Sequence, residues 1–417
     1  MFSLVIIALG IIFIDIITVW GLKRTFPQFI SHHWLGIRIG FFAQAIVSVV
    51  AVIGGLLVQR YVANYRLLPW LYYLYGFMIA IYAPKAFYTF LLIADWCLSR
   101  MSKLHRRQFD KFPRGSRRII AKYGFFASIA LTGIIGWSVF WGQHLFKIEQ
   151  VEIFIDHLPR AFHGYKIVHI SDIHAGSFFD YSGRFQKVVD LINQQEPNLI
   201  VCTGDMVNNF SDELVPLIPI FSQLKANDGK YAVLGNHDYG GYAEWDNLTD
   251  SIVNHELIKN AIEQMGFELL NNESKIISRY NSDRMALIGI ENWGIKKRHT
   301  KRGNLEIAMK SVNNVPFKIL LLHDPSFWPL EVRGKTDITL TLAGHSHGAQ
   351  VGLKLGKKSF SFAPLLGLSY GAGLYQTDKQ YLYVNRGLGV IGFPGRFGMS
   401  PEITVITLWK EKPSEQP

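Results

Sequence analysis

Five short polar motifs follow one another through the second half of this 417-residue chain, each at the end of an apolar run. They read DIH at Asp172–His174, GD at Gly204–Asp205, GNHD at Gly235–Asp238, a single His323, and GHSH at Gly344–His347. Carboxylates, an amide oxygen and imidazoles, with no thiolate among them, form a mixed oxygen and nitrogen donor set. Such a set suits Mn, Fe or Zn rather than soft ions, and it is the kind from which hydrolytic metal sites are made.

Taken singly, the motifs have plainer readings. Asp172 could cap the turn after a strand, Gly204–Asp205 could be an ordinary turn, and GNHD could be a polar turn. A lone His323 after an apolar run could be a satisfied core residue. GHSH is more telling, because imidazoles two residues apart on a strand edge point to one side, and Gly344 and Gly348 permit close backbone approach. Their shared position matters most. In an open α/β sheet, functional side chains gather at the carboxyl ends of strands, and all five motifs sit there.

The elements that must position them are legible from periodicity. KIVHISD, LIVCTGD and YAVLGN read as buried strands after an extended lead-in, FKIEQVEIFIDHLP. Between them lie a helix over Ser182–Gln194, with Phe185, Val188, Val189 and Ile192 on one face, and a proline-interrupted helical region over 212–224. This β-α-β-α-β order implies a parallel sheet buried on both faces. A helix over Ile252–Met265 and strands at MALIGI, KILLLH and DITLTLAG follow. Residues 359–409, rich in aromatics and glycine, suggest a second sheet. The expected fold is an N-terminal α-helical transmembrane region (residues 1–145), an α/β domain built as a two-sheet sandwich flanked by helices (146–409), and a polar tail (410–417).

Charge separates the same two halves. Residues 1–150 hold 16 Lys/Arg against 4 Asp/Glu, whereas residues 151–417 hold 27 against 28. The formal net charge of +11 therefore belongs to the apolar half, where it reads as membrane topology rather than a nucleic-acid footprint. Four stretches, about 2–22, 36–58, 67–98 and 119–141, are long enough to cross a bilayer. The loop before the last carries eight Lys/Arg between Arg100 and Arg118 against Asp110 alone, which predicts a cytoplasmic loop and an extracytoplasmic second half. Asp15 and Asp95 stand in apolar runs; Asp15 reads as a lone interhelical hydrogen-bonding group. Cys97 and Cys202 lack a CxxC partner and suggest no disulfide.

D-x-H, G-D, G-N-H-D, H and G-H-x-H in this order resemble the signature of the calcineurin-like metallophosphoesterase superfamily, over roughly residues 151–409. HISDIH, AVLGNHDY, GHSHGAQ and VNRGLG…PEITVI resemble its bacterial membrane-anchored branch, where GHTHGGQ is usual; Ser346 and Ala349 depart from that form at positions that are not ligands. The resemblance implies two divalent or trivalent metal ions. Asp172, His174, Asp205 and His347 would bind the first, with Asp205 bridging to a second completed by Asn236, His323 and His345. His237 would meet the leaving group, oriented by Asp238. The implied activity is phosphoester hydrolysis by a metal-bridging hydroxide, at a bacterial inner membrane, on a phosphate ester that could be lipid-linked. Alternatives are a pyrophosphatase of a nucleotide-activated lipid precursor such as UDP-2,3-diacylglucosamine, or a metal-free sensor or scaffold. A nuclease is disfavoured by the near-neutral second half. The basic run Lys296–Arg302 could grip a second phosphate or an anionic headgroup, or be a solvated loop. LLGLSYGAGLY and GVIGFPGRFG could line a groove or simply pack.

Overall fold

The computed structural model describes residues 2–61, 65–104, 116–179, 182–280, 283–294, 302–355 and 358–410. The chain divides into two compact units, one of residues 1–62 and 73–140 and one of residues 63–72 and 141–417. Residues 63–72 thus group with the second unit, although they precede the boundary expected at 145/146. Most of the basic loop and the run Lys296–Lys301 lie outside the described residues.

The first unit is helical: α1 Phe2–Thr25, α2 Pro27–His32, α3 Trp34–Tyr61, most of α4 Leu68–Leu104, and α5 Ser116–Phe140. Their apolar side chains leave the backbone no partner in a bilayer but itself, which favours helix throughout. Among the described residues three stretches, Trp34–Leu57, Leu68–Cys97 and Ile120–His144, are long and apolar enough to cross a membrane, and this is a membrane protein. The first expected span forms α1. α4 runs through Pro84 as one helix. Asp15 is not the lone group expected: Lys85 Nζ donates to its Oδ1 at 2.6 Å and to Gln44 Oε1 at 2.6 Å. Gln44 in turn donates to the Tyr82 hydroxyl at 2.8 Å. A buried carboxylate is tolerable only when paired in this way.

Among its described residues the second unit holds fourteen strands. In chain order they are β1 Lys147–Phe154, β2 Tyr165–Ile170, β3 Leu199–Cys202, β4 Lys230–Ala232, β5 Glu268–Leu269, β6 Glu273–Arg279 and β7 Asp283–Gly289. Then come β8 Phe317–Leu321, β9 Leu340–Ala343, β10 Gly352–Leu355, β11 Lys358–Ser361, β12 Gly373–Thr377, β13 Gln380–Val384 and β14 Glu402–Trp409. One six-stranded sheet has the order β1-β14-β2-β3-β4-β5, another β12-β13-β9-β8-β7-β6, and β10 and β11 form a separate ribbon.

Alternation along the strands builds the layers. Ile167, Leu199, Val201 and Tyr231 of the first sheet meet Leu287, Ile319, Leu321 and Leu342 of the second in a shared core. Val168, Ile170, Ile200 and Cys202 face the other way, onto α6 (Ser182–Asn193), α7 (Ile218–Phe221) and α8 (Leu248–Gln264). Outside the second sheet, Ile288 and Leu320 pack with Ala308 of α9 (Leu305–Met309), Trp328 and Val332. The expected sandwich flanked by helices is what forms.

Three details differ from expectation. β12 and β13 join the second sheet, but β14 lies in the first, between β1 and β2 and antiparallel to β2. Its Ile403 and Val405 pack on the helix side while Ile406 and Leu408 enter the inter-sheet core, so both faces are apolar and only a central position buries both. α8 begins four residues earlier than predicted, because the Asn247 side chain caps it by accepting from Asp250 N at 2.9 Å. The region 212–224 contains only α7 and short 3₁₀ turns, as its prolines dictate.

Candidate metal centre

The loops after β2, β3, β4, β8 and β9 bring the motif residues together. Asp172, His174 and His347 form one group and Asp205, His323 and His345 another, the ligand atoms of each lying within 4.8 Å of one another. In the first, His347 Nε2 stands 3.1 Å from His174 Nε2 and 3.3 Å from Asp172 Oδ1. In the second, His323 Nε2 stands 3.1 Å from His345 Nδ1, 3.1 Å from Asn236 Oδ1 and 3.1 Å from Asp205 Oδ2. Asp205 Oδ2 is also 3.6 Å from His174 Nε2, so one carboxylate oxygen faces both groups.

These atoms fit cations between them. Nitrogens bound at about 2.1 Å to one ion stand roughly 3.0–3.4 Å apart, which matches the spacings found. The protons also point that way. His323 Nδ1 donates to the Thr203 carbonyl at 2.7 Å, so the neutral ring turns a bare lone pair at Nε2 towards two oxygens and another nitrogen. Acceptors facing acceptors in a buried site require a proton or a metal ion. Without a metal, burial opposes charge on His323, yet the Asp205 and Asp172 carboxylates outweigh it and raise its pKa to about 10. Burial would likewise raise Asp205, but His323, His237 and His174 hold it well below the usual carboxylate range. His174 and His345 are lowered, chiefly by burial and then by neighbouring imidazoles.

The backbone is unusual where these side chains leave it. Asp172, His174, Asp205, His345 and His347 have φ of 49°, 45°, 54°, 73° and 50°, a left-handed region that L-residues with side chains rarely adopt. Such strain persists only where the surroundings over-determine it. Here Asp172 N donates to Gly204 O, His174 N to Asp205 O, and His345 N to the Asp172 carboxylate. Gly344 is required on steric grounds: a Cβ there would sit 2.3 Å from Asp172 Oδ2 and closer still to Ser171 Oγ.

His237 stays outside both groups. Its Nδ1 donates to the Asn208 carbonyl at 2.8 Å, and its ring stacks on Tyr242 with centroids 4.2 Å apart. The ring lies edge-on to His174 at 4.9 Å. The expectation that Asp238 orients this imidazole is corrected: Asn208 does so. The Asp238 carboxylate instead accepts from the amides of Asp205, Met206 and Gly235 at 2.8–2.9 Å and from Val207 at 3.3 Å. It gathers the donors of two turns, which a histidine N–H alone could not replace. Burial and the Asp205 charge push Asp238 up to about 7 against those amides.

Two further groups escaped the motif reading. Glu213 is fully buried and accepts from the amides of Gly176, Asn208, Asn209 and Phe210, tying the loops after β2 and β3 together. Its signal was an acid in an apolar, proline-broken stretch. Arg396, in the FPGRFG segment, reaches His347 with Nη2. A pocket of about 240 Å³ opens beside Asn236 and His345, walled by Tyr242, Asp324, Leu368 and Tyr370 among others.

A calcineurin-like phosphoesterase family model matches residues 165–349. A metallophosphoesterase of Bacillus subtilis, YkuE, is 31% identical over 320 residues, covering 74% of this chain and 99% of its own. A transmembrane protein with a metallophosphoesterase domain from Danio rerio is 27% identical, covering 81% of this chain and 74% of its own. A Helicobacter pylori metallophosphoesterase is 26% identical, covering 78% and 77%.

Proposed function

This chain belongs to the calcineurin-like metallophosphoesterase family, and we propose from that membership that its site holds two metal ions with Asp205 between them. Asp172, His174 and His347 complete the first position; Asn236, His323 and His345 complete the second. It is a metal-dependent hydrolase of phosphoric ester bonds. The observation that carries the residue assignment is the single Asp205 oxygen facing both donor groups, at 3.6 Å from His174 and 3.1 Å from His323. Mn, Fe or Zn suits the mixed nitrogen and oxygen set.

Bound metals supply charge neutralisation for the phosphoryl group and a water acidic enough to attack near neutral pH. The chain's own contribution is orientation. Asn236 lends an oxygen without further negative charge, and its Nδ2 donates to the Tyr242 hydroxyl at 2.8 Å, which fixes the amide. His237, with Nδ1 committed to Asn208, keeps Nε2 for the proton that the leaving oxygen needs. Asp238 and Glu213 hold the loops on which Asp205 and Asn208 stand.

The substrate is proposed to be a phosphate ester at the membrane surface, with a lipid-linked ester favoured by the attached membrane helices. The boundary at 145/146 and an extracytoplasmic catalytic domain complete the reading, the latter supported by the eight Lys/Arg between Arg100 and Arg118. Metal analysis of the purified full chain should find two ions per chain. Turnover should appear on p-nitrophenyl phosphate or its bis ester and disappear in Asp205→Asn. A wild-type chain that takes up no metal and hydrolyses neither ester would refute the proposal. A reporter fused after Pro417 tests the orientation.

A further inference from the structure

The pocket beside His345 continues into an apolar ridge. In the β10–β11 ribbon, Leu353 and Phe360 are cross-strand partners, and a short turn over Ala363–Leu366 follows. Leu353, Phe360, Phe362, Leu365 and Leu366 are 49, 52, 45, 83 and 70% exposed. The next residues, Gly367 and Leu368, line the pocket together with His345 and Ser346.

The ridge is anchored rather than loose. Phe362 N donates to Val351 O at 3.1 Å and Gly352 N to Phe397 O at 2.9 Å. The Ser346 hydroxyl, between two candidate ligands, donates to the Gly371 carbonyl. Five large apolar side chains held towards water, two on the ribbon and three in the segment 362–366 after it, mark a surface that expects an apolar phase.

The same chain carries helices long and apolar enough to cross such a phase. Within the second unit the ridge lies beside the start of its segment 141–417: Val351 bridges Phe397, and a Cβ on Gly142 would meet the Arg396 carbonyl.

We propose that this ridge docks into the headgroup and acyl-chain boundary of the bilayer that the N-terminal helices cross. The pocket then opens at the lipid surface and takes phosphate esters that carry an acyl chain. This use of the pocket rests on the hydrolase reading above; the docking itself does not.

The test uses the full chain in phosphatidylglycerol–phosphatidylcholine nanodiscs, on a Cys97→Ser background. Leu366→Cys carries an environment-sensitive nitrobenzoxadiazole label, and Ile252→Cys, an exposed apolar site on α8, carries the same label as comparison. The expected result is blue-shifted emission at position 366, quenched by lipids with a doxyl group high on the acyl chain, severalfold more than at position 252. Equal, water-like emission at both sites would overturn the proposal. So would quenching at 252 alone, or a blue shift at 366 that ignores doxyl lipid and vanishes at one chain per disc, which would assign the ridge to a second copy. The readout needs no turnover, so an inactive hydrolase and an undocked ridge give different results.

Discussion

Arg396 Nη2 stands 3.1 Å from His347 Nδ1 while the same guanidinium donates to the carbonyls of Arg386, Gly389 and Met399. One buried side chain therefore locks the segment after β13 and sets the plane of a candidate ligand ring. A ring that ligates through Nε2 carries its proton on Nδ1, so the guanidinium positions the ring by packing beside it rather than by donating to it. Groups that orient ligand rings are worth about 10–100-fold in metal affinity. Arg396→Lys keeps a cation but loses the fork of donors. Metal titration should show the first position weakened by roughly that factor, with the second little changed. Equal affinities in parent and variant would refute the link.

The two donor groups should separate on mutation. His347→Ala removes a nitrogen from the first group only, and His345→Ala from the second only, whereas Asp205→Asn weakens both. Metal analysis should find about one ion per chain lost in each histidine variant and both lost in Asp205→Asn. Turnover should fall to background in all three, because phosphoryl neutralisation needs the pair. Retention of two ions in His345→Ala would break the assignment.

His237 predicts the opposite pattern. It touches neither donor group as a ligand, so His237→Ala should keep both ions and lose about 10²–10⁴-fold in turnover. The loss should be smaller for an ester with an acidic leaving group such as p-nitrophenol, which needs little protonation. Tyr242→Leu, which removes the stacked ring and the contact to Asn236, should lower turnover less than His237→Ala.

Stability should depend on pH through His169. Its Nε2 is paired with Thr203 Oγ1 at 2.9 Å, and burial pulls its pKa down to about 3. The unfolded imidazole titrates near its ordinary value of about 6.5. Between those values the unfolded chain binds a proton that the folded chain refuses, so this contribution to stability is intact above pH 6.5 or so and declines as pH falls, by at most about 1.4 kcal/mol per unit. Chelated protein melted between pH 6.5 and 4.5 should therefore show a steeper fall than its His169→Gln variant. Parallel curves would exclude the effect.

Much of this was readable from sequence because the local code and the fold agree. Strands such as IVHI and LIVC alternate between two apolar layers, and each ends on a motif, so both the sandwich and the convergence of Asp172, Asp205, His323 and His345 follow from period and position. What was not readable depends on distant partners. Asp238 looks like a histidine's companion until the four amides it gathers are seen, and Glu213 has no motif. β14 reads as part of the last sheet because nothing local tells a strand which edge it will join. The positive φ values at the ligands are not readable either: Asp and His enter the left-handed region more often than most side chains, but still at only a minority of positions.

Asp15 and Lys85 give the last prediction. The carboxylate and ammonium meet at 2.6 Å between α1 and α4, with Gln44 and Tyr82 completing the shell. Lys85→Met would leave a buried carboxylate without its cation, and breaking such a pair costs about 3–5 kcal/mol in protein interiors. The double variant Asp15→Leu with Lys85→Met removes both charges and should recover most of that loss, because desolvation of the pair is then avoided as well. Thermal unfolding in detergent should therefore rank the parent and the double variant close together, with Lys85→Met well below. If the single and double variants melt alike, the pair is not a coupled unit and the helices are held by their apolar contacts alone.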